Sequence, residues 1–262
     1  MPQINANSSN VILFDVQEGV AVVSINRPDE LNTFTTEVIN GLTKAFSLIA
    51  NDDAIKVAVL TGTGRAFSAG LDLKMLSAES DVFQQHNQGQ HTAFIKAISE
   101  CPKPVIGAIN GVAVAGGLEL ALCCDFLYAS DKASFADTHA FVGVIPGWGL
   151  SQKFPRLVGI NRARELSFTG RFFSAIEAKE WGLINEIYPR DELMNTVLDL
   201  ALKIAEADMP ALMKIKALMN QGWNMNLKNA LEYETQISVP YSKAIDMTQM
   251  EQRLEVLKSR KR

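Results

Sequence analysis

No uninterrupted apolar run in the 262 residues approaches the roughly 18 needed to cross a membrane. Neither charge sign dominates either. At a net charge of −4 the chain has no electrostatic footprint for nucleic acid or for an anionic membrane surface. Its three cysteines cannot all pair internally, and Cys123 and Cys124 sit inside an apolar run, so buried thiols in a reducing compartment are expected. Cysteine and histidine nowhere take a metal-type spacing, which excludes a structural zinc. The stretch Met1 to Asn10 has neither the charged n-region nor the apolar h-region of a signal peptide and reads as a loose polar tail. The one basic block, Lys258 to Arg262, reads as a solvated C-terminus. These absences leave a soluble cytoplasmic protein as the expectation. Its 47% apolar content suffices for a sizeable core in one or two domains.

Two glycine turns stand out. They are Phe67-Ser68-Ala69-Gly70-Leu71-Asp72 and Asn110-Gly111-Val112-Ala113-Val114-Ala115-Gly116-Gly117-Leu118-Glu119. Each follows a strand-like run, Val57 to Leu60 and Pro104 to Ile109, and the second leads into an apolar stretch of helix length. A glycine turn opening a helix leaves backbone N–H groups free at a positive dipole end. Two such turns face to face would hold one developing negative charge, which is the requirement of an oxyanion hole.

A third glycine stretch is a decoy. Thr61-Gly62-Thr63-Gly64-Arg65-Ala66-Phe67 begins like a dinucleotide fingerprint, but Phe67 occupies the third glycine position, where a tight strand–helix crossing has no room for a ring.

The two turns, with Cys124-Asp125 closing the second segment, resemble the crotonase (enoyl-CoA hydratase/isomerase) family over roughly Val11 to Met225. The resemblance implies an α/β fold: a spiral of ββα units, taken as 1–200, followed by a helical trimerisation region over 201–262. It implies a homotrimer or homohexamer acting on an acyl-CoA thioester. Coenzyme A then arrives as part of the substrate, with no metal or redox cofactor.

By the family pattern, the backbone N–H groups of Leu71 and Gly116 polarise the thioester oxygen. Glu119 matches a catalytic glutamate of the hydratases. Set among Leu118, Leu120, Ala121 and Leu122, it would be partly desolvated and usable as an acid or base; the alternative is a helix-start glutamate in a capping box. The second hydratase glutamate falls on His139, a departure from the pattern. His139 either takes one proton-transfer role, its ordinary pKa lying near 6.5, or fills space and shapes the substrate site. Asp137 reads as a cap on the turn into Thr138 or as a substitute acid. In Val144-Ile145-Pro146-Gly147-Trp148-Gly149, Gly147 would let the backbone approach the reacting group. Trp148 either narrows the acyl pocket or packs under the following helix.

For coenzyme A itself, the resemblance puts Ala69 near the adenine and makes Arg27 and Lys74 contacts for phosphate or pantetheine. Lys228 and Lys258 stand as weaker candidates, and His86 and His91 fall in a variable segment. The reaction stays open among hydration, double-bond isomerisation, thioester hydrolysis and acyl-CoA binding without turnover.

Hydrophobic pattern predicts strands at Gly19–Asn26, Ala54–Thr61, Pro104–Ile109, Phe126–Ala129 and Leu183–Ile187. It predicts helices from Thr35 or Thr36 to Ile49, from about Gln90, and over Gly116–Cys124, Arg162–Thr169, Ala175–Trp181 and Glu192–Ala207. From Pro210 onward the chain reads as nearly all helix.

Overall fold

The computed structural model describes residues 11–72 and 92–259. Lys74, His86 and His91 lie outside the described residues. The chain divides into two compact units, Met1–Met209 and Pro210–Arg262.

The first unit winds one chain through two sheets. Six strands, β1 (Ile12–Gln17), β2 (Val20–Ile25), β3 (Val57–Gly62), β5 (Val105–Ile109), β7 (Phe126–Ser130) and β10 (Glu186–Tyr188), pair in that order. Four short strands, β4 (Ala66–Ser68), β6 (Val112–Val114), β8 (Ser134–Ala136) and β9 (Phe173–Ser174), form the second sheet. Successive pairs β3–β4, β5–β6 and β7–β8 each give one strand to either sheet, with parallel pairing to the next repeat. This is the ββα spiral that the resemblance implies. It puts both glycine motifs at equivalent corners, each continuing from a short strand of the second sheet.

The central strands β3 and β5 of the larger sheet are buried at every residue because both faces are covered. Val57, Val59, Ile106 and Ala108 face α7 (Leu193–Ala205), packing against its Leu193, Val197, Ala201 and Ala205 stripe. Their neighbours Ala58, Leu60, Val105 and Ile109 point into the main core with α1 (Thr36–Asn51). Because α7 is anchored to the sheet along this stripe, the division between units falls after Met209 rather than at residue 200. The Thr35 side chain caps α1, accepting from the Val38 N–H at 3.4 Å, and Val38, Leu42, Phe46 and Ile49 are fully buried as their spacing predicts. Each such side chain contributes about 1.5–3 kcal/mol by leaving water.

Three expectations need correction. The helix predicted from about Gln90 is α2 (Ala93–Ser99) within the described residues. The helix predicted to Cys124 is α3 (Gly116–Ala121), followed by tighter turns in which Cys123 and Cys124 donate to Leu120 and Ala121. The predicted strand at Leu183–Ile187 begins only at Glu186, because the Leu183 and Ile184 amides return to the Ala178 carbonyl. Further helices are α4 (Leu150–Val158), α5 (Ile160–Thr169) and α6 (Ala175–Glu180). The three cysteines are free thiols, with Cys101 and Cys123 buried. No helix is long and apolar enough to cross a membrane among the described residues.

The second unit consists of α8 (Met209–Gly222), α9 (Leu227–Lys243) and α10 (Met247–Ser259). Asn226 caps α9 by accepting from the Asn229 N–H. Trp223, Leu227 and Leu231 are exposed in the single chain.

Candidate active site

The first glycine turn is held from below by buried amide side chains. Asn32 accepts the Arg27 N–H and donates to the Thr63 and Ala66 carbonyls. Asn110 accepts the Gly62 N–H and donates to the Gly64 and Ala66 carbonyls. Ser68 Oγ donates to the Asn32 carbonyl and accepts the Gly70 N–H. Beyond that turn, Phe34 and Leu71 form a parallel bridge in which Phe34 N–H donates to Gly70 and Asp72 N–H donates to Phe34. In a parallel bridge of this register the N–H of the middle residue points to the opposite edge. The Leu71 amide is thereby turned away from Phe34.

The second turn meets the first backbone to backbone. Gly70 has φ +88°, and a Cβ there would stand 3.0 Å from the Gly116 nitrogen and 3.1 Å from the Val114 oxygen. A Cβ on Gly117 would lie 1.9 Å from the Ser68 oxygen. Only glycine permits this approach. Ala115 carries the rotation that presents the Gly116 amide: it has φ 49° and ψ −116°, pinned by its N–H donating to Ala136 at 3.0 Å. Such a conformation costs about 1–3 kcal/mol in a residue with a Cβ. Nothing in the sequence announces it, since alanine there reads as ordinary. Neither the Leu71 nor the Gly116 N–H is donated to an acceptor among the described residues.

Glu119, three residues into α3, is 2% exposed. Its Oε1 accepts the N–H groups of Trp148 at 2.7 Å and Leu150 at 3.2 Å. The capping-box alternative therefore fails: the carboxylate serves the entry of α4, not the start of its own helix. Its Oε2 lies 3.4 Å from Nε2 of His139. On the other side of the ring, Nδ1 lies 2.7 Å from Asp137 Oδ1, which also accepts the His139 backbone N–H at 3.3 Å. Asp137 thus makes the backbone cap expected of it and, in addition, a side-chain bond that sequence reasoning missed. Burial pushes the His139 pKa down, but hydrogen bonds to Asp137 and Glu119 and their negative charge outweigh it and raise the value from 6.5 to about 9. Asp137 moves the other way: burial raises it, and hydrogen bonds from His139 and the Ser167 hydroxyl bring it below the ordinary aspartate value.

These groups converge on a cleft of about 740 Å³ whose lining includes Leu71, Gly116, Glu119, His139, Gly147 and Trp148. Ala69 also lines it, with its N–H donated to Leu31. A Cβ on Gly147 would meet nothing within 4 Å, so the cleft is open at that point. Trp148 lines the cleft, and its ring contacts are with Phe34 and with Phe94 of α2, not with the helix that follows it. Its ring packs 5.7 Å from Phe34 and 5.0 Å from Phe94, and its edge covers Gly116 on the cleft wall.

Arg27 is placed differently from the other candidates. Its guanidinium donates to the Thr33 carbonyl and hydroxyl and pairs with Asp72 at 3.2 Å, bracing the turn that carries Leu71. Among the described residues, Arg65 is the one arginine or lysine on the cleft lining, and it is exposed. The sequence reading passed over it as part of the nucleotide decoy. Lys258 lies in the second unit, paired with Glu255 at 2.7 Å.

Comparison with known proteins agrees with this architecture. Residues 15–258 match the family described as enoyl-CoA hydratase/isomerase. A probable peroxisomal enoyl-CoA hydratase 1 of Arabidopsis thaliana is 36% identical, covering 92% of this chain and 90% of its own. A short-chain-enoyl-CoA hydratase of Clostridium acetobutylicum is 32% identical, with 87% of each chain covered. The crystal structure of an enoyl-CoA hydratase from Bacillus anthracis superposes with a TM-score of 0.88 at 33% identity, covering 95% of this chain and 96% of that one. With the fold, the facing turns and the sequence match in agreement, the chain belongs to the enoyl-CoA hydratase/isomerase family.

Proposed function

We propose that this protein is an enoyl-CoA hydratase, adding water across the 2,3-double bond of a trans-2-enoyl-CoA. The observation that carries this reading is one cleft with two undonated amides, Leu71 and Gly116, on its lining beside the buried Glu119–His139 pair. Relatives named as enoyl-CoA hydratases support it.

The thioester oxygen takes the Leu71 and Gly116 N–H groups. Glu119 Oε1 is held by backbone donors, which leaves Oε2 to bind a water molecule and accept its proton as the oxygen bonds to C3. The π electrons move to C2 and the thioester, and the enolate oxygen is stabilised by the two amides. His139, as imidazolium, gives its Nε2 proton to C2. The proton on Glu119 then crosses to His139 and restores the starting state. Atoms balance as one water consumed. Glu119 carboxylate with His139 imidazolium has one proton to transfer, the one on Nε2, just as two carboxyl groups sharing a proton have one, which is how a histidine can stand where the family pattern has glutamate. Removing one oxyanion donor typically costs about 10²–10³ in rate, and losing a positioned acid or base about 10²–10⁴.

Ala69, through its carbonyl, and Arg65 at the mouth are the coenzyme A contacts of this reading, with Lys74 retained as a candidate and Arg27 acting through Asp72. Neither a metal nor a redox cofactor is required. The exposed Phe141, Ile145, Phe168, Phe172 and Ile176 suit burial in a homotrimer or homohexamer, as do the exposed apolar residues of the second unit. A cytoplasmic location completes the proposal, resting on the three free thiols.

The test is loss of the enoyl absorbance of trans-2-butenoyl-CoA, with the product identified as 3-hydroxybutanoyl-CoA. Loss in the wild type and not in Glu119→Gln supports the reading. No turnover of this substrate or of longer 2-enoyl thioesters, despite measured binding, rejects hydration. It would favour the second reading that the His139 substitution permits, acyl-CoA binding without turnover.

A further inference from the structure

The site described so far ends at His139, yet the groups behind that ring are as ordered as those in front. Its Nδ1 lies 2.7 Å from Asp137 Oδ1, and the same oxygen takes the His139 backbone N–H at 3.3 Å. One carboxylate therefore fixes both the ring and the main chain of the residue it serves. Asp137 is 3% exposed and is itself held by the Ser167 hydroxyl from α5. The Asp137 side faces a second cavity of about 430 Å³, on which His139 and Ser167 also border, while Nε2 faces Glu119 on the main cleft.

We propose that Asp137 is a positioning residue for the hydration reaction, with Ser167 as its support: it holds His139 with a proton on Nδ1 and a second on Nε2, the latter directed at Glu119 and the cleft. A buried imidazole set between two carboxylates, 2.7 Å away at Nδ1 and 3.4 Å away at Nε2, is favoured as the cation. It is then a proton donor without the neutral carboxylic acid that a second glutamate would have to be. The chemistry is specific to an Asp-x-His arrangement at the end of β8. The tight turn after Ala136 brings the two side chains of residues 137 and 139 onto the same side.

The charges facing the ring are Glu119 from α3 and Asp137 from the end of β8. Arg164 of α5 lines the second cavity, and α4 contributes to that cavity Ser151 and no charged side chain. Two carboxylates against one more distant guanidinium favour the protonated ring, in agreement with its raised pKa of about 9.

The proposal rests on the hydratase reading for its kinetic consequence but not for its structural one, and the two are measured apart. The first measurement is titration of the imidazole resonances of the free enzyme by NMR. The chain has three histidines, and His139→Gln identifies the signal that matters. The expected result is a His139 signal still protonated at pH 8, and one that titrates distinctly lower in Asp137→Asn, where Glu119 alone remains to raise it. A wild-type signal titrating near 6.5, or one unmoved by Asp137→Asn, overturns the proposal whatever the enzyme's activity. Should Asp137→Asn fail to fold, Ser167→Ala is expected to move the same signal downward by less, and the wild-type titration still decides.

The second measurement is the pH dependence of kcat. At pH 8 a group with pKa about 9 is roughly 90% protonated and one at 6.5 about 3%, so Asp137→Asn should lose kcat there by a factor of up to about 30, the ceiling being a full return to 6.5. At pH 5.5 the deficit should nearly close, with KM changed little at either pH. A loss independent of pH would mark a merely structural role and overturn the proposal. If the wild type hydrates no enoyl thioester while His139 titrates high, the hydratase reading fails and Asp137's hold on the ring stands.

Discussion

A Cβ on Gly70 would stand 3.0 Å from the amide nitrogen of Gly116. The two turns are in contact at the point where their donors are presented, so the spacing of the Leu71 and Gly116 amides is set by the absence of a side chain. Gly70→Ala adds the Cβ in that gap, at a φ of +88° that alanine disfavours. Its expected effect is a fall in kcat of about 10²–10³, the size of losing one oxyanion donor, with thioester binding weakened less. Steady-state kinetics beside a thermal melt decide it. A kcat within twofold of wild type would show that the close approach of the turns does not matter to the chemistry.

Glu119 serves packing and chemistry with different oxygens. Gln retains an amide oxygen that accepts the Trp148 and Leu150 N–H groups now bonded to Oε1, so Glu119→Gln should fold normally while losing about 10²–10⁴ in hydration rate. Ala leaves both buried donors unmatched, each costing about 1–3 kcal/mol. Glu119→Ala is therefore expected to melt well below Glu119→Gln at equally low activity. Equal melting temperatures for the two would mean that the backbone bonds contribute nothing to holding the entry of α4.

The legible parts of this site were those with a local sequence signal. Leu71, Gly116 and Glu119 lie in or beside glycine motifs, and the structure brings them to one cleft as their spacing implies. Strands β2 and β3 were legible as β-branched, apolar runs, and the α1 stripe because burial on one face imposes period 3.6. Strand β1 was missed: Phe14 and Val16 alternate with Asp15 and Gln17, but Leu13 beside Ile12 interrupts the pattern. In the second sheet, β4 and β6 overlap the stretches read as glycine turns, and β8 and β9 gave no signal, because strands of three residues or fewer are too short for any periodicity. Asn32 has no signal at all, and Ser68, though inside the first glycine turn, has none for its role. Their importance arises from meeting loops far away in sequence, as when Asn32 reaches Thr63 and Ala66. The resemblance made Arg27 a phosphate or pantetheine contact, whereas folding engages its guanidinium with Thr33 and Asp72, which no local signal announces.

His139 holds its proton more tightly folded than unfolded, with a pKa raised from 6.5 to about 9. A raised value stabilises the fold in full below the unfolded pKa and loses that contribution as pH rises toward and through the folded one. Stability should therefore decline from pH 6.5 to 9 by up to about 3 kcal/mol, over and above any general trend. Urea denaturation of wild type and His139→Gln across this range measures it. The variant should lack the decline, and parallel curves for the two proteins would contradict the ion pairing of His139 with its carboxylates.

Arg65 is exposed on the cleft lining, whereas the Arg27 guanidinium is already committed to Thr33 and Asp72. If the coenzyme A phosphates take the free cation, Arg65→Ala should raise KM with little change in kcat. One solvent-exposed charge pair is worth roughly 1 kcal/mol, about fivefold in KM, and the deficit should shrink in high salt as screening removes the same interaction from the wild type. Arg27→Ala should do the opposite, lowering kcat through loss of the brace on Asp72 and the adjoining Leu71 amide. The two are separated by repeating the kinetics with an N-acetylcysteamine enoyl thioester, which has the reacting end and no phosphates. On that substrate Arg65→Ala should match the wild type while Arg27→Ala stays impaired. An Arg65 effect that persists without phosphates would place its action on the fold of the turn rather than on the ligand.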